Sequence, residues 1–316
     1  MRMNVDTSAR TRAKTIRLTG RMAVHLMAEA EIPDAANIVR YLGSKGAFDI
    51  TDPDLRLCCT LVVEAKYRTM CRLIKKTCHR TVVDLPCGYT PKALHLTERG
   101  MRYIGLDQPV VSREAGNILA FLAEHPQRME FHGTDATDRD SLAAALAHVN
   151  GTVCVSTDGL TTAFSEREAC AVVDNIRDLL ADHGGCWITA DPESMLQFFL
   201  TARAVLGDGA IERLAALSNG AANLWEVDRP ANPFIVDPED VETSLGTAME
   251  CLRQHGLKAR SVKLADHMPE LIAYRRMTRA QVIAFKTAMR YCHFWVITPD
   301  EDAKPRRRRR YPVSPR

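Results

Sequence analysis

The chain has 316 residues, of which 46% are hydrophobic and 26% charged, and its formal net charge is +3. This apolar content predicts a folded protein, either one large α/β domain with extensions or two unequal domains, and excludes wholesale disorder. The longest apolar runs are too short to span a bilayer, and residues 1–20 are basic without a continuous apolar segment. Neither a transmembrane helix nor a secretory signal is therefore predicted.

The cysteines and the charge distribution narrow the class of protein further. Ten cysteines are scattered along the chain, and no two have C-x-x-C spacing, so the spacing predicts neither a zinc site nor a thioredoxin-like motif. Scattered thiols without an export signal predict a reducing, cytoplasmic location. Much of the positive charge lies in Arg306–Arg310, and the slightly acidic remainder argues against a general nucleic-acid surface.

The predicted elements alternate regularly after an N-terminal helical stretch that runs from residue 22 to about 76. Five short β-rich runs follow, and these predicted strands cover 81–85, 101–106, 129–132, 152–156 and 186–190. Helices are predicted between them, at 92–99, 112–124, 141–148 and from the Ser165–Glu168 capping box to Gly184. Such alternation predicts right-handed crossovers and a parallel, doubly wound sheet.

The alternation lapses beyond residue 191. A helix is predicted at 193–217 and a Pro/Asn-rich loop at 218–238. The rest of the chain predicts helices near 240–255 and 278–290, with two late strands at 257–264 and 293–297.

Ligands of doubly wound sheets bind at the carboxyl ends of the strands, where this chain has polar residues. Asp107 ends the second predicted strand, and a carboxylate there can accept both hydroxyls of a ribose, in NAD or in S-adenosylmethionine. The turn at 86–90 separates these two ligands. Pro86 stands where a dinucleotide fingerprint has its first glycine, and Gly88 is the one glycine of the turn. The turn therefore lacks the glycines with which dinucleotide-binding proteins bind a pyrophosphate. This favours S-adenosylmethionine, which has no phosphate.

Several segments resemble class I S-adenosylmethionine-dependent methyltransferases, in particular the leucine carboxyl methyltransferase and polyketide O-methyltransferase superfamily. They are VVDLPCGYTPKAL (82–94), YIGLD (103–107) and TDGLTTAFSEREACAVVDNIRDLL (157–180), and EAKYR (64–68) is similar to bacterial relatives. The family usually has Glu-Gly-Leu after strand four, where this chain has Asp158-Gly159-Leu160. The resemblance covers roughly residues 60–190 and, more loosely, 250–300.

The resemblance implies a Rossmann-like, doubly wound, mostly parallel seven-stranded sheet with an N-terminal helical cap and a helical lid insertion. The implied domains are a flexible basic N-terminus at 1–20, a cap at 21–80, the methyltransferase domain at 81–300 and a basic disordered tail at 301–316. The lid is placed at about 192–245.

The resemblance also implies roles for single residues. Asp84 and Gly88 would line the methionine end of the cofactor, Asp107 its ribose, and Asp135 with Ala136 its adenine. Asp158 would hold the amino group or a nearby water, and Lys66 or Arg68 the carboxylate. The predicted cofactor-binding residues are Lys66, Arg68, Asp84, Pro86, Gly88, Tyr89, Thr90, Asp107, Asp135, Ala136, Asp158, Gly159 and Leu160.

The expected reaction is methyl transfer to an oxygen, carboxylate or hydroxyl, of a small molecule or peptide. A carboxylate acceptor is already ionised at neutral pH, whereas a phenol would gain from a general base. Candidates for that base are His293, His267 and Asp266. Tyr89 is a candidate for holding the sulfonium by a cation–π interaction. Aromatic residues that could line the substrate lid are Phe198, Phe199 and Trp225.

Two alternative functions remain open from the sequence. The run Arg306–Arg310 suggests an RNA or other nucleic-acid methyltransferase, although no Asn/Asp-Pro-Pro-aromatic motif follows strand four. The departures at Lys66 and Asp158 suggest a module that binds S-adenosylmethionine without catalysis. The sequence predicts no particular acceptor and no oligomeric state.

Overall fold

The computed structural model describes residues 17–43, 50–210 and 232–300. Seven strands lie in these residues. They are β1 Thr81–Asp84, β2 Arg102–Asp107, β3 Met129–Gly133, β4 Val153–Thr157, β5 Gly185–Thr189, β6 Leu257–Lys263 and β7 His293–Pro299.

The strands form a single sheet in the order β3-β2-β1-β4-β5-β7-β6. The first five strands are parallel to one another, whereas β7 is antiparallel to both β5 and β6. The mostly parallel, seven-stranded sheet predicted from the sequence is therefore confirmed, and each predicted strand agrees with the structure to within two residues. The N-terminal stretch, residues 17–29, is helical and is called α1.

Helices cover both faces of this sheet. After α1 they are α2 Ala35–Leu42, α3 Pro53–Lys76, α4 Lys92–Thr97, α5 Pro109–Leu122, α6 Arg139–Leu146, α7 Glu166–His183, α8 Ser194–Leu206, α9 Val241–Gln254, α10 Leu264–His267 and α11 Arg279–Ala288. No helix within the described ranges is both long enough and apolar enough to cross a membrane.

Alternating side chains of the strands divide the core into two layers. Val82 belongs to a cluster with α1–α5, α8 and α11, whereas Val83 belongs to one with α6, α7 and α9. Tyr103 and Ile104 divide in the same way on β2. Successive side chains of a strand point to opposite faces of the sheet, so a β-strand with apolar residues at every position requires helices on both sides.

Local sequence signals set the limits of helices α7 and α8. The hydroxyl of Ser165 accepts a bond from the backbone N–H of Glu168, which completes the predicted capping box of α7, and Gly184 ends that helix with φ +71°. Helix α8 ends earlier than the predicted 217, because Gly207 adopts a left-handed φ of +74° after Leu206. Most of the loop predicted at 218–238 lies outside the described residues.

The topology sets the position of any ligand site. From β1 the chain builds the sheet first toward β3 and then, through β4, in the opposite direction. Parallel sheets bind ligands outside the carboxyl ends of the strands at such a reversal. The turns after β1, β2 and β4 therefore form the edge of the sheet where a ligand is expected. The predicted limits of the cap (21–80) and of the lid (about 192–245) remain predictions.

Candidate functional site

The turn after β1 is held against the end of β2. Gly88 has a left-handed φ of +53°, which favours glycine, and its backbone N–H donates to Oδ2 of Asp107 at 2.9 Å. Oδ1 of Asp107 accepts from the backbone N–H of Gln108 at 2.7 Å. A Cβ added to Gly88 would meet no atom within 4 Å. Two predicted site residues thus lie together beside open space at the carboxyl edge.

The carboxylate of Asp107 is buried but keeps hydrogen-bonding capacity. Asp107 is 5% exposed, and burial raises its pKa to about 6, although the N–H groups of Gly88 and Gln108 favour the ionised form. It is therefore mostly ionised at pH 7. A carboxylate has about four lone-pair sites, so each oxygen can accept one more bond. The neighbouring hydroxyl of Thr134 is buried and has no partner among the described residues.

Asp84 forms hydrogen bonds with side chains of three other elements in the interior of the site. Its fully buried carboxylate accepts bonds from the ammonium of Lys92 at 2.6 Å, the hydroxyl of Tyr103 at 2.6 Å and the hydroxyl of Ser156 at 2.5 Å. Burial lowers the pKa of Lys92, but the charge of Asp84, its hydrogen bond and other nearby negative groups together outweigh this effect, so the net pKa is raised. The side chain of Asp84 thus contacts protein groups on three elements, which differs from the expected contact with a cofactor.

A second pair of predicted residues meets across the site. The ammonium of Lys66, on α3, forms an ion pair with the carboxylate of Asp158, after β4, and lies 3.3 Å from the hydroxyl of Ser194. Lys66 is 8% exposed. The structure therefore places one positive and one negative group side by side, where the sequence suggested separate contacts for each.

Arg68 lies away from this pair. Its guanidinium donates to Oε1 of Glu64 at 2.8 Å and to the carbonyl oxygen of Ala30 at 3.3 Å. Because a helix turns by about 100° per residue, positions 66 and 68 of one helix face in nearly opposite directions. In this structure Arg68 thus contacts other groups than Lys66 does, and its predicted contact with the cofactor carboxylate remains a prediction.

The loop after β4 is organised by Asp191, which follows β5. Its fully buried carboxylate accepts bonds from the backbone N–H groups of Gly159 at 2.6 Å, Leu160 at 2.9 Å and Thr161 at 3.0 Å. Burial raises the pKa of Asp191, the charge of Asp158 acts in the same direction, and the amides oppose it. Sequence reasoning missed Asp191, although a polar residue directly after a predicted strand was a usable signal.

Tyr89 is enclosed by the N-terminal helix rather than open to a ligand. It is 1% exposed, its hydroxyl donates to Oε2 of Glu114 at 2.6 Å, and the guanidinium of Arg21 lies 5.8 Å from its ring centroid. The ring thus already has a cation beside it. In the same turn, Thr90 donates from its hydroxyl to the carbonyl of Cys87 at 3.4 Å, and Pro86 is half-buried.

The turn after β3 has a mainly local structure. The exposed carboxylate of Asp135 accepts bonds from the backbone N–H of Thr137 at 2.9 Å and from its hydroxyl at 2.7 Å. Ala136 is buried, and its carbonyl accepts from the side-chain amide of Asn175 at 2.9 Å. Their proposed contact with adenine remains a prediction.

The three candidate general bases lie on the far half of the sheet. The backbone N–H of His293, at the start of β7, donates to Glu193 Oε2 at 2.7 Å, and its Nδ1 lies 3.2 Å from the same oxygen. This contact raises the pKa of His293. Burial and the charge of Lys76 lower the pKa of His267. His267 and Asp266 follow β6, four strands from β1, or about 19 Å at roughly 4.8 Å per strand.

The aromatic residues predicted for the lid differ in position. Phe198 is 5% exposed and belongs to the core cluster beneath α3 and α8, so its ring serves packing in this structure. Phe199 is half-buried. Trp225 and Arg306–Arg310 lie outside the described residues.

The known proteins found similar to this chain are solved structures of low sequence identity. No protein-family model matches the chain, and no curated protein matches it. One similar solved structure is magnesium protoporphyrin IX methyltransferase from Synechocystis PCC 6803 with bound S-adenosylhomocysteine. Its sequence identity to this chain is 11% and the TM-score is 0.42, and the match covers 84% of this chain and 93% of that one. An O-methyltransferase family protein from Burkholderia thailandensis is 13% identical, with a TM-score of 0.40 over 89% and 71% of the two chains.

Another similar structure is TnmH, at 12% identity and a TM-score of 0.43 over 78% of this chain. The match spans 57% of the TnmH chain. At such identities a likeness concerns the fold alone. The strand order, with a seventh strand antiparallel to both of its neighbours, makes this a Rossmann-like, doubly wound and mostly parallel sheet, as the sequence resemblance implied.

Proposed function

We propose that the chain is an S-adenosylmethionine-dependent methyltransferase that binds this cofactor at the carboxyl ends of β1, β2 and β4. The observation that carries the proposal is the contact of Gly88 with Asp107. A buried carboxylate, ionised at pH 7 and with one lone pair left on each oxygen, matches the two adjacent hydroxyls of a ribose. The glycine backbone beside it leaves room for close approach of the ligand.

The ion pair of Lys66 with Asp158 supports an amino-acid ligand at the neighbouring position. The methionine part of the cofactor carries one ammonium and one carboxylate. A zwitterion of this kind can exchange partners with an ion pair, so that each of the four charges keeps an opposite charge beside it. Two charges of one sign would instead favour a phosphate or a dication.

The turn after β1 supports a cofactor without phosphate. In dinucleotide-binding proteins the pyrophosphate lies on the N–H groups of a helix N-terminus. Here the first turn of α4 follows Pro91, which has no N–H, and the ammonium of Lys92 is held by Asp84 at 2.6 Å. The helix therefore lacks one N–H at its start and the nearby ammonium is already paired, which weakens a pyrophosphate site and favours S-adenosylmethionine over NAD.

The proposed reaction is methyl transfer to an oxygen of a small molecule or peptide. The bound cofactor would supply a methyl group on a positively charged sulfur, and the protein would align the acceptor and exclude water. A carboxylate acceptor, with a pKa of about 4, needs no base. Since the three candidate bases lie on the far half of the sheet, a carboxylate fits the proposed site better than a phenol.

Calorimetric titration tests the proposal. The full chain should bind S-adenosylmethionine and S-adenosylhomocysteine but not NAD. Asp107→Asn keeps the size of the side chain and removes the charge, and we expect about 10- to 100-fold weaker binding, since hydrogen bonds to charged groups contribute about 1.5–3 kcal/mol. The matched control is Asp182→Asn, because Asp182 is exposed in the last turn of α7, toward the opposite edge of the sheet.

Two results would overturn the proposal: no binding of either sulfur cofactor, or equal binding by the parent chain and Asp107→Asn. Binding of S-adenosylmethionine without methyl transfer to any carboxylate or hydroxyl acceptor would assign the chain to the non-catalytic alternative.

A further inference from the structure

Two cysteines and a histidine meet on the face of the sheet that α7 and α9 cover. Cys170 is on α7, Cys251 is on α9, and His255 caps the end of α9. Their ligand atoms all lie within 4.8 Å of one another, and all three residues are partly buried. No spacing motif links them, since Cys170 is far from the other two in sequence, and the sequence predicted no metal site.

The ring of His255 is oriented by a carboxylate. Its Nδ1 lies 2.9 Å from Oδ1 of Asp174, one turn after Cys170 on α7, and Arg177 holds the same oxygen at 2.5 Å. With Nδ1 engaged, Nε2 is the nitrogen available to a further partner. A carboxylate on the second ring nitrogen is the usual way in which proteins orient a metal-binding histidine.

We propose that Cys170, Cys251 and His255 bind a zinc ion that links α7 to α9, with Asp174 as the positioning residue for the imidazole. In a tetrahedral zinc site, with Zn–S about 2.3 Å and Zn–N about 2.0 Å, ligand atoms lie roughly 3.5–3.8 Å apart. Atoms already within 4.8 Å reach this range through small side-chain rotations. Two thiolates with one imidazole form a soft donor set that suits zinc rather than magnesium or calcium.

The surroundings of the two cysteines are apolar. Cys170 and Cys251 pack against the apolar cluster of α6, α7 and α9. A groove of about 360 Å³ is lined by Glu166 and Thr247, each of which lies one helical turn before one of the cysteines. Three protein ligands leave the fourth position of the ion to water.

A second group of candidate ligands fits a metal less well. Glu130, His132 and His148 also lie within 4.8 Å of one another. The guanidinium of Arg102, however, donates to Oε1 of Glu130 at 3.0 and 2.5 Å. A fixed positive charge on that carboxylate opposes a divalent cation, and the group has no thiolate.

Zinc and cobalt binding to the reduced full chain tests the proposal. Zinc is titrated against a chromophoric chelator, and cobalt reports thiolate ligands through its sulfur-to-metal charge-transfer band. We expect one zinc per chain, loss of the site in Cys170→Ser and Cys251→Ser, and about 10- to 100-fold weaker binding in Asp174→Asn, as for other groups that orient metal ligands. The controls are Cys78→Ser, which removes an exposed cysteine, and Glu130→Gln at the second group.

The titration needs no cofactor, so its result is independent of the proposed function. Asp174→Asn leaves all three ligands in place, and circular dichroism of each variant shows whether its helices are retained. The proposal is overturned if the reduced chain binds no stoichiometric zinc, or if Cys251→Ser binds zinc as the parent does. A Cys170–Cys251 disulfide that forms in air, in a chain that takes up no zinc when reduced, would also overturn it and assign the pair to redox chemistry.

Discussion

The buried charge of Asp107 gives a testable link between stability and pH. Its pKa of about 6 in the folded chain lies above the ordinary value of 3.8. The folded state therefore binds this proton more tightly than the unfolded state, and stability from this group rises as the pH falls through 6. The shift of about two units corresponds to about 3 kcal/mol of destabilisation at pH 7, most of which is removed by pH 4.

Asp107→Asn isolates this contribution. The amide cannot ionise, so the free energy of unfolding of the variant lacks the pH dependence of this one group while keeping that of all others. The variant also loses one backbone acceptor, because its NH₂ faces the N–H of Gly88 or Gln108, which costs about 1–3 kcal/mol at every pH. The difference between variant and parent should therefore change by about 2–3 kcal/mol between pH 7 and pH 4.

Urea unfolding of both chains at a series of pH values, followed by circular dichroism, measures this difference. We expect the advantage of the parent to be largest at pH 4 and smallest, or reversed, at pH 7. A difference that stays flat across this range would show that Asp107 has the same pKa in the folded and the unfolded chain, and would refute the reasoning that burial disfavours its charge.

Three further predictions follow from the same site. Gly88→Ala and Gly151→Ala should each cost about 1 kcal/mol, because both glycines have positive φ and open space, but calorimetry should show weaker cofactor binding for Gly88→Ala alone. Lys92→Met leaves the buried carboxylate of Asp84 without its cation and should lower the free energy of unfolding by about 3–5 kcal/mol. Chemical denaturation measures this loss, and the double variant with Asp84→Asn should recover part of it. Asp191→Ala removes the acceptor of three backbone amides, so stability should fall by about 3 kcal/mol or more, and hydrogen exchange at 159–161 should accelerate.

The sheet could be predicted from sequence because its signals are local. Runs such as 81–83 and 153–155 consist of β-branched or apolar residues at every position, which indicates strands covered on both faces. Capping residues such as Ser165 mark where the helices begin. The end of α8 was less predictable, since apolar periodicity continues past Gly207 and only the backbone conformation of that glycine shows the stop.

The site was predicted in part. Asp107 and Gly88 could be placed because strand ends in a doubly wound sheet share one edge. The partners of Asp84 and the role of Asp191 depend on contacts between elements distant in sequence, which no local pattern records. The opposite directions of Lys66 and Arg68 follow from helix geometry alone, so this difference between the two residues could have been predicted from their spacing.

A crystal structure of the chain with S-adenosylhomocysteine tests the central claim most directly. The account predicts the ribose hydroxyls within hydrogen-bond distance of both oxygens of Asp107, with the amino-acid part of the ligand beside Lys66 and Asp158. A ligand bound elsewhere, or a crevice that remains closed by protein side chains at saturating ligand concentration, would contradict it.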